Sequence, residues 1–141
     1  MIEMIIIDAK DLILGRFAAF AVKQAFLGEE VHIINADFAV ITGDKRKTIA
    51  SYKRRRELGA PLIGPFYPRM PDRIVKRAIR GMLDYNSPRG KAAFAKIRCH
   101  IGVPEEFKGK EVLELPHMHV DKTHAQYITI REISRELGAR V

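Results

Sequence analysis

The sequence predicts an α/β fold, because two apolar strands flank an amphipathic helix near the N-terminus. Met4 to Ile7 is a short, mostly β-branched run, as expected for a strand covered on both faces. Apolar residues then recur every three or four positions from Leu14 to Leu27, which indicates a helix, and Gly28 stands where its C-terminal cap belongs. A second buried strand follows over Val31 to Ile34. A strand, a helix and a strand of these lengths predict a right-handed crossover and a parallel pair.

The next part of the chain predicts two basic helices on either side of a stiff loop. A third short apolar run, Ala39 to Thr42, precedes the first of these helices, Lys45 to Leu58. Four of the seven prolines fall between Gly59 and Pro71, and prolines at that density exclude a regular helix or a central strand. Asp72 is expected to cap the second helix, Arg73 to Leu83, which has a basic face and an apolar face.

The C-terminal part predicts shorter elements within a single domain, residues 1–141. A basic turn leads into a short helix from Lys91 to about Lys96 and a strand from Ile97 to Ile101. The following segment is expected to be mostly irregular, until a capping box of Thr129 and Glu132 opens a terminal helix. The predicted core consists of Ile5, Ile7, Phe17, Phe20, Val31, Ile33, Val75, Ile79 and Met82.

Positive charge is concentrated in the middle of the chain. Residues 41–100 hold sixteen Lys and Arg against four Asp and Glu, whereas residues 1–40 and 101–141 are both mildly acidic. A basic region between acidic flanks predicts a surface for a polyanion, most often nucleic acid. The alternative is a solvated charged face, which does not account for the proline-rich loop within the same region.

Composition and cysteine content predict a soluble, cytoplasmic protein. Hydrophobic residues make up 47% of the chain, too many for a disordered basic tail. The single cysteine, Cys99, can form no internal disulfide, which fits a reducing compartment, and a small core residue is favoured over a reactive thiol. The first residues include acids where a secretory signal has cations, and no apolar run approaches the roughly 20 residues of a membrane span.

Catalytic and metal-binding patterns are incomplete, so no enzyme activity, cofactor, metal or small-molecule substrate is expected. The first strand–helix turn contains only Gly15, so the dinucleotide-binding pattern G-x-G-x-x-G is missing. Asp8 follows a strand where α/β enzymes place functional acids, yet aspartate is also a common turn residue. Three histidines and one aspartate within residues 117–124 suggest a transition-metal site, but no cysteine or second acid completes it. Histidines that face solvent or RNA are the favoured interpretation.

The basic region has the features of an RNA-binding surface. Two clusters of cations in the first basic helix, residues 45–47 and 53–56, point in nearly every direction, so some must face a partner. Phe66 and Tyr67 either stack on unpaired bases or clamp the loop onto its own domain, and the sequence favours neither. Helix-turn-helix, zinc-finger and RNP signatures are missing, which argues against sequence-specific DNA recognition. Recognition of folded RNA by shape and phosphate fits best.

Several short motifs spread along the chain are highly specific when taken together. The central one is Ile79-Arg80-Gly81-Met82-Leu83, followed by Gly90-Lys91 and the run from Ile97 to Gly102-Val103-Pro104. The others are Asp8-Ala9-Lys10, Leu14-Gly15-Arg16, Asn35-Ala36-Asp37, Ile41-Thr42-Gly43, Gly64-Pro65-Phe66, Arg69-Met70-Pro71-Asp72-Arg73 and Tyr52-Lys53-Arg54-Arg55. This set resembles the large-subunit ribosomal protein thirteen family, and the last two motifs are similar to its archaeal and eukaryotic branch.

The resemblance implies a fold, a partner and a role. The family fold is a three-layer α/β/α core with a mostly parallel four-stranded sheet, here with a basic helix-and-loop insert and an irregular C-terminal segment. Binding to large-subunit ribosomal RNA, contact with neighbouring large-subunit proteins and support of subunit assembly are implied as well. One departure is Asp84, which stands where the family usually has Pro, Ser or His. Because an acid repels phosphate, the contact at this turn is assigned to Arg89 and Lys91.

The predicted RNA-binding residues lie in the basic region, about residues 43–98. They are Lys45, Arg46, Lys47, Lys53, Arg54, Arg55, Arg56, Phe66, Tyr67, Arg69, Arg73, Lys76, Arg77, Arg80, Arg89 and Lys91. Two other classes of function are alternatives. A small α/β enzyme or nucleotide-binding protein would bind a free nucleotide with defined stoichiometry, and a non-specific DNA-binding protein would prefer duplex DNA to ribosomal RNA at equal salt.

Overall fold

The computed structural model describes residues 4–141 and contains a parallel sheet whose first two strands are joined by a crossover helix. Strand β1 (Met4–Asp8), helix α1 (Leu14–Phe26) and strand β2 (Glu30–Ile34) make the predicted crossover. Strands β1 and β2 pair in parallel over their whole length. Strand β4 (Ile97–Cys99) pairs in parallel with the other edge of β2, so β2 is the central strand.

Within residues 4–141, the parallel sheet has three strands rather than the four that the family resemblance implies. The third apolar run forms a short strand, β3 (Val40–Thr42), but this strand does not join the parallel sheet. It pairs antiparallel with β5 (Tyr127–Thr129), in a segment that was expected to be irregular. A strand of three residues has too little alternation to reveal its partner, and here the partner lies far along the chain.

Four further helices follow the first crossover. They are α2 (Lys45–Glu57), α3 (Pro71–Met82), α4 (Pro88–Ala95) and α5 (Ile130–Glu136), with short 3-10 helices at Ala36–Phe38, Glu105–Phe107, Pro116–Met118 and Val120–Lys122. Thr129 caps α5 at the predicted position, because its hydroxyl accepts a hydrogen bond from the Glu132 amide at 3.2 Å. None of the helices within residues 4–141 has the length and apolarity to cross a membrane.

The predicted cap of α3 is wrong. Helix α3 begins at Pro71, one residue before Asp72, and Met70 is the N-cap residue without a side-chain hydrogen bond. Proline at the first helical position fixes φ and needs no hydrogen-bond acceptor, so it starts the helix without a polar cap. Asp72 lies within the first turn, where its negative charge stabilises the helix dipole.

The core lies between the parallel sheet and helices α1 and α3. Six of the nine predicted core residues are completely buried, namely Ile7, Phe17, Val31, Ile33, Val75 and Ile79. Ile5 and Phe20 are half-buried and pack against that core. Met82 is 43% exposed, so its assignment to the core is wrong. Leu83, the C-cap residue with extended backbone directly after α3, is buried instead.

Gly90 allows α4 to pack against the preceding turn. A β-carbon at this position would lie 1.7 Å from the Asp84 carbonyl oxygen, so any larger residue forces the backbone apart. We expect Gly90→Ala to lower the free energy of unfolding by about 1–3 kcal/mol, measured by denaturant unfolding. The matched control is Gly81→Ala in α3, where no atom beyond the adjacent residues and the helix's own backbone lies within 4 Å of the added carbon. That change is expected to raise stability by about 0.5–1 kcal/mol, and equal losses for both variants would contradict the packing argument.

Candidate nucleic-acid interface

Helix α2 divides its cations between helix α5 and the outer surface. Lys45 Nζ lies 3.9 Å from Glu132 Oε2, and Lys53 Nζ lies 3.6 Å from Glu136 Oε2. These exposed ion pairs orient α2 beside α5 and contribute at most about 1 kcal/mol each. The other cations of α2 are exposed and have no carboxylate within 4.0 Å in the described part of the chain: Arg46, Lys47, Arg54, Arg55 and Arg56.

Tyr67 joins α2 to α3. Its ring packs edge-on against the buried ring of Tyr52, with centroids 5.8 Å apart. The guanidinium carbons of Arg55 and Arg77 each lie 5.7 Å from the Tyr67 ring centroid, and Arg56 Nη1 donates a hydrogen bond of 2.8 Å to the Tyr67 carbonyl. Of the two interpretations of Tyr67, the structure therefore supports the clamp. The same contacts bring Arg55 and Arg56 of α2 close to Arg77 of α3.

Phe66 differs from its neighbour Tyr67. Its side chain is 67% exposed, so it does not clamp the proline-rich loop (residues 58–70) onto the domain. The loop instead begins with a tight turn in which the Gly64 amide donates to the Ala60 carbonyl at 3.0 Å. Gly59 is required there, because it has a φ of +86° and an added β-carbon would lie 1.7 Å from the Gly64 carbonyl oxygen. Phe66 is left available for a partner.

Tyr85 joins α3 to α4 in a similar way. The Arg80 guanidinium lies 4.3 Å and the Lys91 ammonium 5.8 Å from the centroid of its ring, which packs edge-on against Phe94. In α4 itself, Arg89 lies 4.9 Å from the ring centroid of Phe26, in α1. Sequence reasoning missed the roles of Tyr52 and Tyr85. Each of these tyrosines stands within or between runs of Lys and Arg, and this pattern could have indicated an aromatic ring that contacts the cations.

Lys76 is the exception among the predicted RNA-binding cations, because its ammonium points into the protein. Its Nζ donates hydrogen bonds to the carbonyl oxygens of Phe94 (2.7 Å) and Ile97, and it lies 4.1 Å from the Phe94 ring centroid. Burial lowers its pKa below that of an ordinary lysine. The helical pattern places Lys76 beside Arg73 and Arg77, but its flexible stem reaches the end of α4 and the start of β4 instead. Its placement on the RNA-facing surface is not supported.

We expect Lys76→Met to act on stability and not on RNA binding. The change removes the donor for two carbonyls, so the free energy of unfolding should fall by about 1–3 kcal/mol in denaturant melts. The salt dependence of RNA binding should stay unchanged. The matched control is Arg73→Met, because Arg73 is an exposed cation on the same helix. This change should reduce the salt dependence of RNA binding and leave the free energy of unfolding unchanged. A reduced salt slope for Lys76→Met would return this lysine to the RNA-facing set.

Other polar clusters have ordinary structural contacts. The Asp8 carboxylate accepts hydrogen bonds from the Lys10 amide and the Asn35 side chain, both at 3.0 Å, as a turn residue does. His119 accepts from the Asp121 amide at 3.1 Å and lies 4.0 Å from Asp11. Across residues 4–141, no group of three or more His, Cys, Asp or Glu side chains is arranged to hold a metal ion. Burial raises the pKa of the Cys99 thiol to about 12, so it is a poor nucleophile at neutral pH.

The sequence of this chain matches the model of a known protein family. The model of the family described as Ribosomal protein L13 matches residues 2–106, about three quarters of the chain. The chain belongs to the ribosomal protein L13 family. This finding confirms the resemblance seen in the sequence motifs. Members of the ribosomal protein L13 family are structural components rather than enzymes, so the expectation of no enzyme activity is confirmed.

Individual relatives are similar over almost the whole chain, and all three below are named "Large ribosomal subunit protein uL13". The protein of Methanococcoides burtonii is 41% identical over 138 residues, covering 97% of this chain and 99% of the relative. That of Methanosarcina barkeri is 40% identical over 139 residues, with 97% and 99% covered. That of Archaeoglobus fulgidus is 40% identical over 140 residues, with 98% and 90% covered. All three organisms are archaea, in agreement with the branch that the motifs favour.

Proposed function

We propose that this protein is a structural constituent of the large ribosomal subunit and that it works on the cytoplasmic ribosome. Membership of the ribosomal protein L13 family and the nearly full-length similarity to uL13 proteins support this role. The proposed contact is with ribosomal RNA, through the basic surface formed by α2, the proline-rich loop, α3 and α4. Neighbouring large-subunit proteins are the other expected partners.

The observation that carries the RNA-binding proposal is the absence of ion pairs around the arginines of this surface. Within residues 4–141, none of the arginines of the basic region has a carboxylate within 4.0 Å. A charged face that only serves solubility usually places acids near its cations, because alternating signs stabilise the surface. Unpaired guanidiniums held close together repel one another, so their arrangement favours a partner that supplies negative charge.

Two tyrosines support a continuous surface. Tyr67 gathers Arg55, Arg56 and Arg77, and Tyr85 gathers Arg80 and Lys91, so cations from three helices are held at defined positions. Fixed arginines match the fixed phosphate spacing of folded RNA better than mobile side chains do. The proposed RNA-binding residues are Lys45, Arg46, Lys47, Lys53, Arg54, Arg55, Arg56, Phe66, Arg69, Arg73, Arg77, Arg80, Arg89 and Lys91, with Tyr67 as an internal support.

Sedimentation of a cell extract tests the proposed role. An antibody to the protein, or a tagged chromosomal copy, should detect it in the large-subunit and whole-ribosome peaks of a sucrose gradient. Dissociation of the subunits at low magnesium should move the signal with the large subunit. A signal confined to the top of the gradient would reject the assignment. Tighter binding to duplex DNA than to ribosomal RNA at equal salt would favour the DNA-binding alternative, and stoichiometric binding of a free nucleotide would favour the enzyme alternative.

A further inference from the structure

A cleft of about 600 Å³ opens between the end of α2, the proline-rich loop and the first turn of α3. Its volume lies within the range of protein pockets that bind small organic groups. Six side chains give it its chemistry: Arg56, Arg69, Arg73, Phe66, Asp72 and Ile101. The cleft therefore combines three cations and one acid with several apolar side chains, a combination that a surface for phosphate alone does not need.

The apolar side chains of the cleft have the properties of a stacking platform. Phe66 is 67% exposed and Ile101 is 42% exposed, although both line the cleft. An exposed aromatic ring beside arginines is typical of sites that stack an unpaired base, because the ring and guanidinium faces accept any base. The hydrogen bond from Arg56 to the Tyr67 carbonyl fixes one of these guanidiniums at the cleft.

Asp72 makes the cleft selective in its chemistry. It has no ion-pair partner within 4.0 Å among the described residues, although three arginines line the same cleft. A carboxylate lowers the attraction of the cleft for phosphate, so it favours a ligand that donates hydrogen bonds. Guanine has two adjacent N–H donors on its Watson–Crick edge, and a carboxylate accepts both. Adenine, cytosine and uracil each present at least one acceptor beside their donor, which a carboxylate repels.

We propose that this cleft binds an unpaired guanine nucleotide of RNA. Phe66 stacks on the base, Asp72 accepts its two Watson–Crick N–H groups, and Arg56, Arg69 and Arg73 hold the flanking phosphates. The inference rests on the proposed RNA-binding function, and it adds a base preference to a surface otherwise governed by charge and shape. Asp72 also stabilises the start of α3, so its test needs a readout that helix stability does not change.

Hairpin RNAs that differ in one bulged nucleotide provide that readout. Four labelled hairpins with the same stem and a bulged G, A, C or U are titrated with the full chain at fixed salt, beside a fully paired stem. The G-bulge hairpin should bind about tenfold more tightly than the other three, within the range for bidentate base recognition. Asp72→Asn should remove this preference by weakening binding to the G-bulge hairpin, and it should slightly strengthen binding to the other four RNAs, because a negative charge is lost. Phe66→Leu should weaken binding to the G-bulge hairpin about fivefold or more, and by a larger factor than it weakens binding to the paired stem.

Asp84→Asn is the matched control, since it removes an exposed acid of the same basic region outside the cleft. It should strengthen binding to all hairpins alike and keep the preference for G. Equal affinity for the four bulges, or an unchanged preference in Asp72→Asn, would overturn the inference. In that case a steep salt dependence of binding to the paired stem would still support the RNA-binding surface. Failure of every RNA to bind would reject the proposed RNA contact and the cleft assignment together.

Discussion

The affinity of this protein for large-subunit ribosomal RNA is expected to fall by about three to five orders of magnitude between 50 and 200 mM salt. This loss corresponds to roughly 6–10 phosphate contacts on a duplex, each of which releases counterions on binding. Three single variants, Arg54→Gln, Arg73→Gln and Arg80→Gln, should each reduce the slope of log K against log salt by up to about one. The measurement is a filter-binding or fluorescence titration at several salt concentrations.

Cations outside the basic region are the controls for this experiment. Lys108, Lys110 and Arg140 are exposed, and their replacement by Gln should hardly change the slope. Arg55→Gln and Arg77→Gln should also reduce it, with some loss of stability because both side chains contact Tyr67. If replacing Lys108, Lys110 or Arg140 changed the slope as much as replacing the arginines of the basic region, the basic region would be only a solvated face.

Ile33→Ala should lower the free energy of unfolding by about 2–5 kcal/mol. Ile33 is fully buried on the central strand, opposite Ile7 of β1 and Cys99 of β4, so the smaller side chain leaves a cavity among rigid neighbours. Denaturant unfolding with a common slope gives the difference. Leu62→Ala is the control, because Leu62 is 95% exposed and its truncation should change stability by less than about 0.5 kcal/mol. A loss below 1 kcal/mol for Ile33→Ala would contradict the central position of β2.

Local signals in the sequence predict the first part of the fold well. The helix predicted over Leu14 to Leu27 is observed over Leu14–Phe26, and the basic helix predicted over Lys45 to Leu58 is observed over Lys45–Glu57. Both have a clear period or a dense run of helix-forming residues, and Gly28 has the positive φ of a helix terminator. Strand β5 has no comparable signal, because three residues form it and its stability depends on pairing with a distant segment.

The sequence predicts which residues contribute to the candidate site, but it does not predict which way their side chains point. The charge distribution identifies the basic region, yet it cannot distinguish Lys76 from Arg73, three residues earlier on the same helix. Their difference comes from two carbonyls at the end of α4 and the start of β4, within reach of the lysine alone. Phe66 and Tyr67 are equally ambiguous in sequence. Only the position of Tyr52 on α2 decides that one ring is held in the domain while the other stays exposed.

The pairing of β3 with β5 has a consequence for the newly made chain. These strands are separated by more than eighty residues, so during synthesis roughly 4–17 s pass between the appearance of β3 and that of its partner. Over that interval α2 is already present, but Glu132 and Glu136, which orient it, are not. Until β5 joins β3, the new α2 lacks these two ion pairs, and the contact of Tyr52 with Tyr67 is what links it to α3. The complete arrangement of α2 against α5 therefore forms only after the last segment of the chain has been made.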